Sequence, residues 1–182
     1  MKLIEKKSND YKREITVKDT IICHFTAGGS LAGAESTLAK PDGVNVQYII
    51  DRDGTICHYF PDEFWAHHCG KKMWSKRSIA IEIVNWGGLT QSVDGLWLPW
   101  TGKKSQAVPE SQVVHLPPWR GYEAWQLLTP EQVDALSELL ARLIVQHPIR
   151  ILKTHADIVF YKTDFHPRFE QIYGTFKKFI QT

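Results

Sequence analysis

The sequence of 182 residues holds only three cysteines, Cys23, Cys57 and Cys69. None forms a Cys-x-x-Cys pair, and an odd count is a poor basis for a disulfide framework, so reduced thiols are expected. No apolar run approaches the length of a membrane span, so membrane insertion is not expected. The N-terminus, Met1-Lys-Leu-Ile-Glu-Lys-Lys-Ser8, lacks the apolar centre of a secretory signal. Synthesis in the cytoplasm follows as an expectation, and action outside it would need release, for example by cell lysis. The net charge is only +2, which gives no reason to invoke nucleic acid. Internal repeats and low-complexity segments are absent as well.

What is present is an ordinary globular balance with a heavy aromatic load. Hydrophobic residues make up 43% and charged residues 23%, enough for one well-buried core and too short a chain for two ordinary domains. Seven Trp and six Tyr exceed what a core of this size requires, and such aromatics line ligand grooves or fill interiors. Residues 1–19 are polar and read as a lead-in segment, and residues 20–182 as the folded domain. Thr20–Phe25 reads as a first strand. Ser30 is placed to cap a helix running to about Lys40, ended by Pro41-Asp42-Gly43. Val46–Asp51 and Thr55–Phe60 read as a hairpin turning at Gly54. Ser78–Val84 alternates Ile79, Ile81 and Ile83 on one face with Ala80 and Glu82 on the other. Thr129-Pro130-Glu131-Gln132 is a capping box that opens a helix to about Gln146. Arg150–Lys153 reads as a short strand, and Arg168–Phe179 as a final helix. Gly87–Tyr122 shows no period and reads as a long irregular insertion. Strands alternating with helices predict an α/β fold: a single domain with a central mixed sheet flanked by helices.

The chemistry gathers around Thr154–Asp164. His155 offers an imidazole, Asp164 a carboxylate nine positions on, and Lys162 a cation between them. Two metal-ligand types and a cation in one loop suggest a zinc site, against the plainer reading of a surface loop with a salt bridge. His24 closes the first strand, where open α/β sheets collect their chemistry. Glu82 lies in a strand that reads as central, where a carboxylate needs a partner or water. Two histidines and one carboxylate would leave a fourth zinc position open. A further carboxylate can move protons, and a lysine can stabilise an oxyanion. The plainer readings are a hydrogen-bonded strand-end His24, a Glu82 facing solvent and a His68 that only orders its loop. Trp97, Trp100 and Trp119 of the insertion read either as a substrate wall or as a packing flap. His58, His115 and His147 read as ordinary, and Cys23 as core.

Five segments occur in order: His24-Phe-Thr-Ala-Gly28, Tyr48-Ile-Ile-Asp-Arg-Asp-Gly54, His68-Cys-Gly70, Ser78-Ile-Ala-Ile-Glu82 and His155…Lys162-Thr-Asp164. Together they resemble the zinc-dependent N-acetylmuramoyl-L-alanine amidases, which share their fold with peptidoglycan recognition proteins. The resemblance covers residues 20–85 and 129–180. It implies zinc on His24, His155 and Asp164, an acid/base carboxylate at Glu82, an oxyanion-stabilising Lys162 and a substrate-side His68. It implies cleavage of the amide between the lactyl group of N-acetylmuramic acid and L-alanine, with peptidoglycan or a muropeptide as substrate. Three features depart from the family pattern, one of them the Gly87–Tyr122 stretch, which matches no part of it. Val46 stands where one branch carries Tyr, and Phe165-His166-Pro167 follows the last ligand where Pro is usual. The competing expectations are a binding module that grips without cutting, and a cytosolic amidase that recycles soluble muropeptides. An endolysin released at lysis fits the same features, and a monomer is expected.

Overall fold

A computed structural model describes residues 2–38 and 44–179. The expected helix end at Lys40 and the Pro41–Gly43 stop lie outside the described residues. The strands are β1 (Leu3–Glu5), β2 (Thr20–Phe25), β3 (Tyr48–Ile50), β4 (Ile56–His58), β5 (Ser78–Ile83), β6 (Gly88–Gln91), β7 (Trp97–Leu98), β8 (Val113–Trp119), β9 (Tyr122–Gln126) and β10 (Ile151–Thr154). The helices are α1 (Leu31–Leu38), α2 (Lys72–Arg77), α3 (Pro130–Gln146), α4 (His155–Ile158) and α5 (Glu170–Lys177).

Six strands form the main sheet in the order β1-β4-β3-β5-β2-β10. Only β3 and β4 run antiparallel, across the hairpin whose turn residue Gly54 has φ +78°. The strands β10, β2, β5 and β3 run parallel side by side. Parallel strands at the centre of a sheet need cover on both faces, and every residue of β5 is buried. On one face Ile21, Cys23, Ile79, Ile81 and Ile83 pack against Leu136, Leu139, Leu140 and Leu143 of α3 and Ile172 and Phe176 of α5. On the other, Val46, Ile49, Ala80 and Val84 pack under Ala34 and Leu38 of α1. Each fully buried aliphatic side chain contributes about 1.5–3 kcal/mol.

Side chains fix the ends of these elements. Thr129 Oγ1 accepts from Gln132 N at 3.1 Å and donates to Arg52 O at 2.8 Å. Gln132 Nε2 donates to Val84 O at 2.9 Å. The cap of α3 thus also clamps the β3–β4 turn and the exit of β5. Gln47 substitutes for a ladder partner by accepting from Ala80 N at 3.0 Å, which is why β3 begins two residues later than its hydrophobic pattern suggests.

Two expectations need correction. Residues 1–19 are more than a lead-in: β1 lies parallel to β4 at the sheet edge, and Lys12 bridges to Trp65. The stretch 87–122 is not structureless. It supplies most of a second, antiparallel sheet in the order β7-β6-β9-β8, with Leu89, Trp97, Val108, Val113 and Ala124 as its small core. Its strands are short and irregular, and β8 carries a register shift between His115 and Trp119, so no period of two survives in the sequence. Among the described residues, no helix is long and apolar enough to cross a membrane.

Gly87 and Gly88 are the pivot from β5 into the second sheet. Gly87 has φ +77°, and a Cβ there would overlap the ring of Phe25, the residue beside His24. Gly87→Ala should destabilise the fold by about 1–3 kcal/mol, the cost of a left-handed non-glycine residue in a close approach. A urea-denaturation midpoint equal to that of the unsubstituted protein would refute this.

Candidate active site

The parallel register of β10, β2 and β5 decides where the site lies. His24 is directly opposite Glu82, and Thr154 at the end of β10 is opposite Cys23. His155 follows at once as the first residue of α4. That short helix is fixed by Asp157, whose carboxylate accepts from Thr154 N at 2.7 Å and from Thr154 Oγ1 at 2.9 Å. The chain then loops back, and Ala156 N donates to Asp164 O at 2.9 Å. Three residues far apart in sequence thereby meet at the carboxyl ends of neighbouring strands.

His24, His155 and Asp164 are all buried, and each offers a ligand atom within 4.8 Å of the others. His24 Nδ1 lies 3.0 Å from His155 Nδ1 and 4.0 Å from Asp164 Oδ2, while His155 Nδ1 is 3.7 Å from Asp164 Oδ1. Phe25 N donates to Asp164 Oδ2 at 3.3 Å. Burial resists ionisation of Asp164, yet the His155 and His24 rings and the Phe25 N–H together hold it below the usual carboxylate range.

The tautomer of His24 can be read outward from a backbone carbonyl. Ser78 Oγ gives its proton to Trp74 O at 2.6 Å. It must therefore accept from His68 Nε2, 2.8 Å away. Burial, chiefly, pushes His68 down to about 3, so its ring is neutral and its Nδ1 is bare. That Nδ1 accepts from His24 Nε2 at 3.0 Å. Burial first, and the neighbouring imidazoles second, push His24 well below its ordinary value as well. Its remaining nitrogen, Nδ1, is left with a lone pair aimed at His155 and Asp164. An imidazole whose second nitrogen is fixed by a hydrogen bond is the usual form of a metal-binding histidine.

The donor set fits a zinc ion. Two imidazoles and a carboxylate are borderline ligands suited to it, and three protein ligands leave a position for water or substrate. Among the described residues Glu82 Oε2 is buried with no hydrogen-bond partner, the condition of a polar atom completed by something other than protein. A cavity of about 220 Å³ opens here, and His24, His68, Glu82, His155, Lys162 and Asp164 all line it. Phe25, Ala34, Leu38 and Val44 supply its apolar wall. Burial first, then the negative charge of Asp164, pushes the Glu82 carboxyl up to about 8, and Lys162 opposes the rise.

Every residue of the expected ligand, base and cation set thus reaches one cavity. The aromatic residues of the insertion do not. Trp97 is 7% exposed, donates from Nε1 to Glu110 and belongs to the core of the small sheet, which corrects its reading as a substrate contact. Trp119 is half-buried against Trp125 and His166 and is likewise held by packing. Trp100 is 65% exposed and donates to Ala27 O at 2.8 Å, on the loop that leaves His24. His68 proves to be the support of His24 as well as part of the cavity wall. Ser78, which sets the tautomer, carried no signal in the sequence beyond its place at the start of a strand.

With this geometry in place, comparison with known proteins is decisive for the family. The Amidase_2 family model, described as N-acetylmuramoyl-L-alanine amidase, matches residues 13–167. The chain belongs to the N-acetylmuramoyl-L-alanine amidase family. It is an amide-hydrolysing enzyme of that kind, and peptidoglycan or its fragments are the substrate class. Solved structures agree on the fold. AmpD is 18% identical with a TM-score of 0.61, over 99% of this chain and 94% of its own. AmiD from E. coli, solved with anhydro-N-acetylmuramic acid-L-Ala-D-gamma-Glu-L-Lys, is 20% identical with a TM-score of 0.63, over 96% of this chain and 60% of its own. The endolysin amidase LysCS from Clostridium intestinale is 16% identical with a TM-score of 0.55, over 99% and 97%. No curated protein sequence matches the chain.

The relay from Trp74 O through Ser78 and His68 can be tested by metal affinity alone. Ser78→Ala frees His68 to turn its proton toward His24 and should weaken zinc binding about 10–100-fold, the usual cost of losing an outer-shell partner. His155→Ala should abolish binding. Equilibrium competition against a zinc-sensitive dye measures both, and unaltered affinity in Ser78→Ala would exclude the relay.

Proposed function

We propose that this amidase is zinc-dependent and cleaves the amide between the lactyl group of N-acetylmuramic acid and the L-alanine of the stem peptide. His24, His155 and Asp164 hold the metal, and the convergence of these three with Glu82 and Lys162 on one cavity carries the reading. When bound, zinc supplies Lewis-acid polarisation of the amide carbonyl and lowers the pKa of water from about 16 toward about 7. Glu82 is the proton carrier. Its carboxylate takes a proton from the attacking water and returns it to the departing L-alanine nitrogen, which leaves as a free amine. Burial raises the Glu82 carboxyl toward the neutral range and a bound cation would draw it back, which suits a group that both takes and returns a proton. The Lys162 ammonium faces the oxygen that gains negative charge as the carbonyl becomes tetrahedral, and stabilises it most at the transition state. A full set of ligands with a buried carboxylate and a cation favours catalysis over a binding module.

The proposal extends to the substrate's setting: an endolysin-like enzyme made in the cytoplasm that reaches wall peptidoglycan at lysis. The likeness to the Clostridium intestinale endolysin supports this. The muropeptide bound by AmiD supports the same bond chemistry. Rates on intact sacculi against soluble muropeptides separate wall lysis from recycling, and faster turnover of the soluble substrate would favour recycling.

Digestion should liberate the amino group of L-alanine and leave glycan chains whole. New reducing ends without new amines, seen by mass spectrometry, would sink the proposal. Glu82→Gln should keep its zinc and lose about two to four orders of magnitude in turnover. Lys162→Ala should keep its zinc and lose about two to three orders. The pH profile of kcat/KM follows from Glu82. The base is active when deprotonated, so the rate rises with pH on an acid limb between the ordinary 4.5 and about 8. That limb should vanish in Glu82→Gln.

Trp100, the exposed indole beside the loop that leaves His24, is proposed as a substrate-side residue. Trp100→Ala should raise KM roughly two- to tenfold, the size of one aromatic contact, with turnover nearly constant. A loss of thermal stability with unchanged kinetics would reassign it to packing.

A further inference from the structure

The segment that carries Lys162 and Asp164 is buried at Val159 and again at Asp164 and Phe165, and surfaces between them. Phe160 and Tyr161 are 82% and 66% exposed, and the Lys162 Nζ lies 6.0 Å from the centre of the Tyr161 ring. The local backbone bonds are Lys162 N to Val159 O at 3.0 Å and Ala156 N to Asp164 O at 2.9 Å. Lys162 follows this exposed crest, is itself half-buried and lines the cavity, and its four-carbon side chain is placed by the peptide that carries it.

The β8–β9 hairpin of the second sheet reaches over to this crest and grips it at two points. At its tip Arg120, in the left-handed region at φ +52°, donates from Nη1 to the Lys162 carbonyl. The Arg120 guanidinium is itself stacked 4.1 Å from the centre of the Trp119 ring, which restricts its rotamers. The second grip is on the far side of Asp164. His166 Nδ1 accepts from Arg168 N at 2.9 Å, so the ring proton is on Nε2, which donates to Pro117 O at 3.1 Å. His166 is only 4% exposed and lies edge-on to Trp125 at 4.6 Å and to Trp119 at 5.4 Å. One hairpin thus fixes the backbone on both sides of Asp164.

We infer that the β8–β9 hairpin is a brace for the catalytic loop, with Arg120 and His166 as positioning residues that act through Lys162. The inference rests on the proposed role of Lys162. Holding the Lys162 carbonyl limits the arc that its ammonium can sweep, and the transition state gains only if that ammonium is in place when charge develops. A displacement of about 1 Å in such a group can cost as much as 10²-fold in rate. The same grip explains why Trp119 is packed rather than free: its ring is the platform for Arg120. It also gives the insertion a part in turnover that is separate from the substrate contact proposed for Trp100.

The test is a double-mutant cycle on turnover, with zinc content measured on the same preparations. Arg120→Ala should lower kcat about five- to fiftyfold, leave KM within about twofold and keep full zinc. Arg120→Lys, which retains one donor at the tip, should recover part of the loss. In a Lys162→Ala background, Arg120→Ala should cost less than about twofold further, since the group it positions is gone. His166→Phe, which keeps an aromatic ring but removes the donor to Pro117, should lower kcat in the same direction. It should likewise add little in the Lys162→Ala background. Fully multiplicative losses in the Arg120/Lys162 cycle, or wild-type kcat in Arg120→Ala, would overturn the brace and leave the role of Lys162 standing. Near-wild-type turnover in Lys162→Ala would overturn that role, and the brace with it.

Discussion

The structure depends on holding three electron-pair donors together in a place that water reaches poorly. His24 Nδ1, His155 Nδ1 and an Asp164 oxygen repel one another unless a proton or a cation stands between them. In the folded chain they lie within 4.8 Å and are buried. Such an arrangement persists only if rigid elements enforce it. The enforcement comes from the parallel pairing of β10, β2 and β5, whose carboxyl ends are aligned residue by residue. Core packing on both faces then makes the alignment stiff: displacing any strand would break aliphatic contacts with α3 and α5 on one side and α1 on the other. The stability of the sheet is what brings the ligands together, and a bound cation would return some of that free energy.

The same burial that makes the ligand cluster costly in isolation makes its neighbours useful. Glu82 lies one strand away from His24 and close enough to Asp164 to feel its charge. Two carboxylates in one cavity separate in role because their surroundings differ. Asp164 receives the Phe25 N–H and two imidazole rings and stays ionised, whereas Glu82 Oε2 has no partner among the described residues and holds its proton to higher pH. One is thereby suited to bind a cation and the other to carry a proton.

The frame was legible in the sequence because its signals are local. The span of β2, the capping box of α3 and the hairpin glycine at position 54 all fall where propensity and turn chemistry place them. The alternation in Ser78–Val84 put Glu82 and Ile81 on opposite faces, and the packing agrees. His24, Glu82, His155, Lys162 and Asp164 were legible as a set because ordered motifs tied distant segments to one another. What stayed hidden is what tertiary contact alone decides. Ser78 matters only because its proton is taken by Trp74 O. The edge strand Leu3–Glu5 forms because β4 offers a free edge, with little pattern of its own. Trp97 and Trp100 are three residues apart in one aromatic-rich stretch, yet one is interior and the other exposed. No periodicity in the sequence separates them.

The second sheet shows how an insertion can join an active site without entering it. It leaves β5 through Gly87 and Gly88, where the lack of side chains lets Phe25 and Tyr122 close over the backbone. That tight exit fixes the sheet against the strand that carries Glu82, and the return through β9 is fastened by Asn85 Nδ2, which donates to Gln126 O at 3.2 Å. The sheet is therefore anchored at its root to the same strands that align the site. Its outer parts extend to the two loops that the core does not hold. Trp100 meets the loop after His24 through Ala27 O, and the β8–β9 tip meets the loop before Asp164 through Lys162 O. Each contact lands on a backbone carbonyl. A side chain on a loop is only as well placed as the peptide beneath it. A rigid sheet that holds the peptides on both flanks of the cavity narrows the range of geometries the site can adopt, while the cavity itself stays free for substrate.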